Sequence, residues 1–180
     1  MGLAVLIVIL TAATFSLGAC EQRESDAAPN DRATPVTVTA ATLGEQELFT
    51  SKDYLKQDIY ASADINRGEK LSTQCRACHT LEEGGAAIVG PNLFGIFGKT
   101  AASAPDFPYS EVLAASDFIW TPRALDAWLA QPFAFLPRNR MSFPGLPDHK
   151  DRNSLIAYLL KQTDSGTKKD AADSTADLQN

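Results

Sequence analysis

The feature that most constrains this chain is the run Gln74-Cys75-Arg76-Ala77-Cys78-His79-Thr80, in which a histidine directly follows the second of two cysteines. Two thiols three residues apart lie on one face of a helical turn, so both can reach the vinyl groups on one edge of a porphyrin. The next residue, His79, brings its imidazole to the iron. C-x-x-C-H is the attachment signature of c-type haem, so the motif predicts one covalently bound haem with its iron.

Two other chemistries also use closely spaced cysteines. A structural zinc site takes four Cys or His ligands, but this chain has only three cysteines and two histidines, and Cys20 and His149 are far from the motif. A thioredoxin-like redox pair lies near a βαβ pattern, and no such alternation surrounds Cys75. Both alternatives are therefore disfavoured relative to haem.

The net negative charge of the chain lies outside the segment that carries the motif. The 180 residues have a net charge of −6, yet residues 61–163 hold ten acidic and ten basic side chains. No basic stripe or Lys/Arg tract is present, so the sequence does not indicate a nucleic-acid partner. The length suits one domain with appendages.

The first twenty residues predict export. Residues 2–19 are almost entirely apolar, which is short for a spanning helix and suits the core of a signal peptide. The run Leu17-Gly18-Ala19-Cys20 resembles the lipobox of bacterial lipoproteins, in which Cys20 carries the lipid. No Lys or Arg precedes the run, so an uncleaved membrane anchor and simple secretion stay open as alternatives. The predicted location is the periplasmic side of the bacterial inner membrane.

Four segments are predicted along the chain. Residues 1–20 are a signal peptide or anchor, 21–61 a flexible acidic linker, 62–163 the haem domain and 164–180 a disordered tail. About forty flexible residues reach roughly 35 Å on average, which would let the domain move over a membrane surface. Residues 48–60 also carry enough apolar side chains to form a loose helix or to pack on the domain.

Helices separated by Gly- and Pro-rich loops are predicted within the haem domain, and no convincing strand pattern or internal repeat occurs. The fold class is therefore all-α. One helix leads into the motif, a second ends before Pro132, and a third closes the domain. Their candidate starting residues are Ser62 or Asp64 for the first, Thr121 before Pro122 for the second, and Asp151 or Asn153 for the third.

An iron bound by His79 needs a sixth ligand or has an open site. Met1 belongs to the predicted signal, which leaves Met141 and His149 as candidates. A lone methionine is usually core filler. Met141, however, lies in a polar, Pro-stiffened loop about sixty residues after the motif, which is a poor place for core filler. The sequence therefore favours Met141, with His149 as the alternative.

Taken together, these features resemble the class I cytochromes c, especially the mitochondrial and related bacterial type. The resemblance covers about a hundred residues, from about Asp64 to Thr163, and leaves both flanks uncovered. It implies crossing N- and C-terminal helices, with Gly68 against Tyr158, and loops that enclose one covalent haem. Beyond the C-x-x-C-H run, the motifs that carry it are Gly90-Pro91-Asn92-Leu93, Gly95-Ile96-Phe97-Gly98, Tyr109-Ser110, Trp120-Thr121, Trp128-Leu129, Pro137 to Leu146 and Leu155 to Leu159.

The resemblance also implies the ligands of the haem. Cys75 and Cys78 would form the thioethers, His79 the proximal ligand and Met141 the distal ligand. The Pro91 carbonyl would accept the outer imidazole N–H, which fixes the orientation and basicity of the ring.

Three further residues receive roles from the resemblance. Tyr109 and Trp120 resemble the buried donors to a haem propionate, with ordinary core packing as the alternative. Lys99 stands where the family often has an arginine facing a propionate, and a lysine cannot form the planar fork of a guanidinium.

Two occupied axial positions leave no place for a substrate, so the resemblance implies an electron carrier rather than an enzyme. The thioether ligand raises the reduction potential relative to two histidines. We expect a membrane-tethered carrier, in a respiratory or photosynthetic chain, that moves electrons from a quinol–cytochrome c reductase to a terminal oxidase. The alternatives are the haem electron-entry subunit of one enzyme complex and a gas-binding module with a labile methionine ligand.

The predicted docking face surrounds the exposed haem edge at Arg76, Arg138, Arg140 and Phe143. Redox partners bind transiently through small interfaces of this kind. The basic ring is thin, and these arginines could equally be ordinary solvated charges. A tether would compensate, because it raises the effective concentration of the domain at the membrane. Lys150 and Arg152 are further candidates.

Overall fold

The computed structural model describes residues 38–164, and this part of the chain is helical with no strand beyond one isolated bridge between Thr100 and Ile119. The predicted all-α class is confirmed. No helix in this range is long and apolar enough to cross a membrane. In chain order the elements are a 3₁₀ turn at Ala40–Thr42, α1 Ser51–Tyr54, α2 Asp58–Ala61, α3 Ile65–Arg76, α4 Glu111–Ala114, α5 Pro122–Ala130, α6 Pro132–Phe135 and α7 His149–Gln162.

Helices α3 and α7 cross at Gly68, and this is the most extensive contact between helices in the described residues. A Cβ atom added at Gly68 would lie 2.0 Å from the backbone oxygen of Ser154 and 2.8 Å from Cβ of Tyr158. Only a residue without a side chain allows the two backbones to approach so closely. Beside the crossing, the guanidinium of Arg67 donates to both carboxylate oxygens of Asp151, at 2.8 and 2.7 Å.

The helix starts follow from side-chain caps. Asp64 accepts from a backbone N–H in the first turn of α3, and Thr121 does so for α5, as the sequence predicted. The prediction for α7 was wrong by a few residues. Asp148, rather than Asp151 or Asn153, caps this helix, because its carboxylate accepts two backbone N–H groups of the first turn.

The core is built on the buried side of α7 and an aromatic cluster. The ring centroids of Phe118, Trp120, Trp128 and Phe135 lie 4.8 to 5.8 Å apart in edge-to-face pairs. Such pairs add about 0.5–1.5 kcal/mol each beyond their buried area. The cluster joins α5 and α6 to the loop before α5.

Residues 38–61, which we name the N-terminal strap, pack on this core and do not behave as the predicted linker. Leu43, Tyr54 and Tyr60 are at most 7% exposed and belong to the core. Helices α1 and α2 both contact α7. The folded unit therefore includes the strap and extends beyond the predicted boundary at residue 62. The predicted signal segment with Cys20, the linker up to residue 37 and the tail from residue 165 lie outside the described residues.

Candidate haem site

A largely apolar cavity of about 650 Å³ lies between the end of α3, helices α5 and α7, and the long loops. Cys75, Cys78 and His79 line it from the last turn of α3 and the residues that follow. Met141 lines it from the loop between α6 and α7. The structure thus brings all four predicted haem ligands to one cavity.

The imidazole of His79 is held in one orientation by backbone groups. Its Nδ1 lies 2.7 Å from the carbonyl oxygen of Pro91. Because Nδ1 donates to this carbonyl in the neutral ring, Nε2 is left with its lone pair. Burial lowers the pKa of His79, which favours the neutral ring. A Cβ atom at Gly90 would lie 2.3 Å from Cε1 of His79, so the glycine makes room for the imidazole.

The two cysteines are free thiols on a single turn. Both are partly buried and neither forms a disulfide. The backbone N–H groups of Cys78 and His79 donate to the carbonyl of Cys75, at 3.0 and 2.8 Å, which fixes the spacing of the motif. Burial raises the pKa of the Cys75 thiol to about 11. Two unbridged thiols at the edge of an apolar cavity fit the chemistry of haem attachment.

Met141 is positioned by a buried asparagine that the sequence analysis did not single out. The Asn139 side chain is 6% exposed, and its amide donates to the carbonyls of Pro132 and Leu136 at 3.0 and 2.8 Å. Its Oδ1 accepts from the backbone N–H of Met141 at 2.9 Å. The loop before the methionine is therefore fixed from within. The only sequence signal was an asparagine in a Pro-rich loop, where such residues often bond to nearby backbone.

His149, the alternative sixth ligand, is not brought to the cavity. It is exposed at the start of α7, and it borders a separate, smaller hollow with Tyr60 and Asp126. Within residues 38–164, no three His, Cys, Asp or Glu side chains gather as a possible metal site. The geometry therefore favours Met141 over His149, and the ligand role of Met141 stays a prediction.

Tyr109, Trp120 and Lys99 all line the same cavity. The Tyr109 hydroxyl accepts from the backbone N–H of Ala104 at 3.2 Å, and Trp120 is buried in the aromatic cluster. Lys99 is exposed, with Nζ 3.4 Å from the Phe94 carbonyl. Their contacts to the propionates of a bound haem stay predictions.

Of the four predicted docking residues, two line the cavity, and two of the arginines already have partners within the protein. Arg140 and Phe143 line the cavity, and Arg140 donates to the carbonyl of Pro108. Arg76 forms an ion pair with Glu82 at 2.7 Å.

Of the remaining predicted docking cations, one is in an ion pair and two are exposed. Arg152 pairs with Asp126 at 2.7 Å and donates to the carbonyls of Leu146 and Pro147, so it serves the fold. Arg138 and Lys150 are exposed. The basic ring is therefore weaker than a count of arginines suggests.

These features fit a haem c. Two thiols, an oriented imidazole and a thioether side chain share one apolar cavity, and a glycine opens the space beside the imidazole. When bound, the haem supplies one-electron chemistry. The protein supplies the attachment points, the axial side chains and the exclusion of water.

Comparison with known proteins places the chain among small haem proteins. It is 35% identical over 103 residues to cytochrome c of Kluyveromyces lactis, covering 57% of this chain and 94% of that protein. It is 39% identical over 103 residues to cytochrome c of Chlamydomonas reinhardtii, covering 57% and 92%. Cytochrome c2 of Afifella marina is 37% identical over 98 residues, covering 53% and 79%. A comparison with models of protein families found no match.

Proposed function

We propose that this chain, which belongs to the cytochrome c family and carries one covalently bound haem c, is a membrane-tethered carrier on the periplasmic side of a bacterial inner membrane. Family members named cytochrome c and cytochrome c2 transfer electrons and are not enzymes. More specifically, we propose that it takes single electrons from a quinol–cytochrome c reductase to a terminal oxidase. The observation that supports it is that His79, held by Pro91, and Met141 line one cavity, where they would bind the iron of a haem.

His79 and Met141 would together leave the haem iron no open position, which suits a carrier. A haem bound on both faces exchanges electrons through its edge, with little rearrangement of its surroundings. Thioether ligation and burial both favour the ferrous state, so they raise the potential relative to two histidines or an exposed haem. A high potential matches a carrier that accepts electrons from a quinol oxidation step.

The tether is supported by the sequence before the strap. The apolar residues 2–19 precede Cys20, which stands at the lipobox position. Residues 21–37 lie between Cys20 and the first described residue of the strap. Even fully extended, this stretch spans at most about 60 Å. If Cys20 is anchored, the haem domain is confined to a thin layer at the membrane.

The ion pairs formed by two arginines of the predicted docking region also support a tether. Arg76 and Arg152 are in ion pairs, and such pairs leave little free positive charge for attracting a partner over distance. Confinement at the membrane supplies effective concentration in place of electrostatic steering.

Replacing residues 1–20 by a cleavable signal peptide tests the tether. We expect the domain to become soluble and to keep its haem and potential. Its electron transfer with reductase and oxidase in membrane vesicles should slow substantially, and the loss should deepen as salt rises. The reason is that the released domain depends on diffusion and a thin basic ring, which is screened over about 8 Å at physiological ionic strength.

The control is the same soluble domain with an unrelated lipoprotein signal and its lipidated cysteine restored, which should recover the rate. Mass spectrometry of the N-terminus reports separately whether Cys20 carries lipid. Respiration at the wild-type rate with the soluble form, across the whole salt range, would contradict the tethered shuttle.

A further inference from the structure

The strap makes a two-point polar contact with the chain on either side of Trp120. The side-chain amide of Gln46 donates to the carbonyl of Ile119 at 3.1 Å. Its Oε1 accepts from the hydroxyl of Thr121. Because Gln46 bonds to the residue before Trp120 and to the residue after it, one strap side chain fixes both ends of this short segment.

The clamped hydroxyl of Thr121 is itself constrained. Thr121 is 3% exposed, and its Oγ1 also accepts from the backbone N–H of Ala124 at 3.1 Å, where it caps α5. A hydroxyl that accepts this bond and donates to Gln46 has its single proton committed. The strap is therefore tied to the start of α5 as well as to the loop.

The loop at Gly98 and Lys99 also holds Trp120, through backbone hydrogen bonds. Its N–H donates to the Lys99 carbonyl at 2.8 Å, and its carbonyl accepts from the Gly98 N–H at 2.9 Å. The indole packs edge-to-face on Trp128, with ring centroids 5.5 Å apart, and both rings line the haem cavity. Trp120 is thus a wall of the cavity, held by the loop at Gly98 and Lys99 together with the strap.

We infer that Gln46 is a positioning residue that holds the Trp120 wall of the haem cavity, so that the N-terminal strap tunes the reduction potential of the haem. The strap lies outside the resemblance to the class I cytochromes c, which begins at about Asp64. The device therefore acts on the haem from a part of the chain beyond that stretch.

The coupling has a direct physical cause. The apolar shell around a metal centre controls solvent access and local dielectric, and through them the potential. If the clamp is lost, the segment with Trp120 gains freedom and water approaches the haem more easily. Water stabilises the more highly charged ferric state, so the potential falls.

The test is Gln46→Leu, which keeps the approximate size of the side chain and removes both hydrogen bonds. We expect a lower midpoint potential in the full-length holoprotein, and exchange of the Trp120 amide proton faster by about tenfold. The matched control is Gln57→Leu, because Gln57 lies exposed on the same strap and its side chain makes no capping bond. This control should leave both quantities at the wild-type values. Thr121→Ser, which keeps the hydroxyl, should do the same.

If the strap only stabilises the fold and does not affect the haem, the measurements give a different result. In that case Gln46→Leu lowers the free energy of unfolding and speeds amide exchange throughout the domain, while the potential stays unchanged, and the inference is overturned. An unchanged potential together with unchanged Trp120 exchange overturns it as well. The inference rests on the haem and not on the proposed partners or tether, and the potential is measured without either of them. A failed shuttle therefore leaves this test intact.

Discussion

Met141→Leu is expected to keep the haem attached, lower the midpoint potential and open the iron to carbon monoxide. Leucine fills a similar volume but offers no sulfur, so the preference of the thioether for ferrous iron is lost. Attachment is unaffected because it depends on Cys75 and Cys78. Three measurements check this result on purified protein: the near-infrared methionine–iron band of the ferric form, a redox titration, and the visible spectrum of the reduced form under carbon monoxide.

The matched control for that prediction is His149→Ala. His149 is exposed and lies outside the haem cavity, so its removal should change neither the band nor the potential. If Met141→Leu kept the wild-type potential and band, Met141 would not be the sixth ligand. If the wild type lacked the methionine–iron band, and His149→Ala rather than Met141→Leu opened the reduced iron to carbon monoxide, the histidine would be the sixth ligand instead.

Gly68→Ala is expected to destabilise the fold strongly. The added Cβ atom would meet the Ser154 backbone oxygen at 2.0 Å, and a backbone atom cannot turn aside as a side-chain tip can. Helices α3 and α7 would have to separate, and overpacking of this kind costs about 1–3 kcal/mol, occasionally more. Denaturant unfolding of the holoprotein, followed by far-ultraviolet circular dichroism, measures the loss.

Glu69→Ala is the control for this substitution, because it changes the next residue of α3 on an exposed position. It should shift the free energy of unfolding by only a few tenths of a kcal/mol, as surface changes usually do. A wild-type unfolding midpoint for Gly68→Ala would mean that the two helices do not cross as closely as described.

The parts of the fold that follow local rules could be predicted from the sequence. Asp64 and Thr121 are capping residues in front of helical patterns, and both caps are present. The α7 start was misplaced because Asp148 and Asp151 are both good capping residues, and only the backbone geometry decides between them. The strap was predicted only in part: residues 48–60 were expected to form a loose helix or to pack on the domain, whereas the burial of Leu43 before them was not expected, because Leu43, Tyr54 and Tyr60 share no helical or strand period. Their burial depends on partners far away in the chain.

In the haem site, too, the features set by local sequence could be predicted, and those that depend on distant residues could not. The C-x-x-C-H run predicted a haem from spacing alone, whereas the contact between His79 and Pro91 was implied only by resemblance. The bonds of Gln46 to Ile119 and Thr121 join residues 73 and 75 positions apart, and no local pattern signals them. The ion pairs of Arg76 and Arg152 could not be predicted either, since a sequence shows an arginine but not its ion-pair partner.

Spectroelectrochemical titration of the purified full-length protein, with and without saturating carbon monoxide, tests the central claim most directly. The claim is that this cytochrome c transfers one electron at a haem whose axial positions are filled by His79 and Met141. We predict a single one-electron transition with the same midpoint in both conditions. A midpoint that rises under carbon monoxide would contradict the claim, because it would show that the ferrous iron has an open position for a ligand.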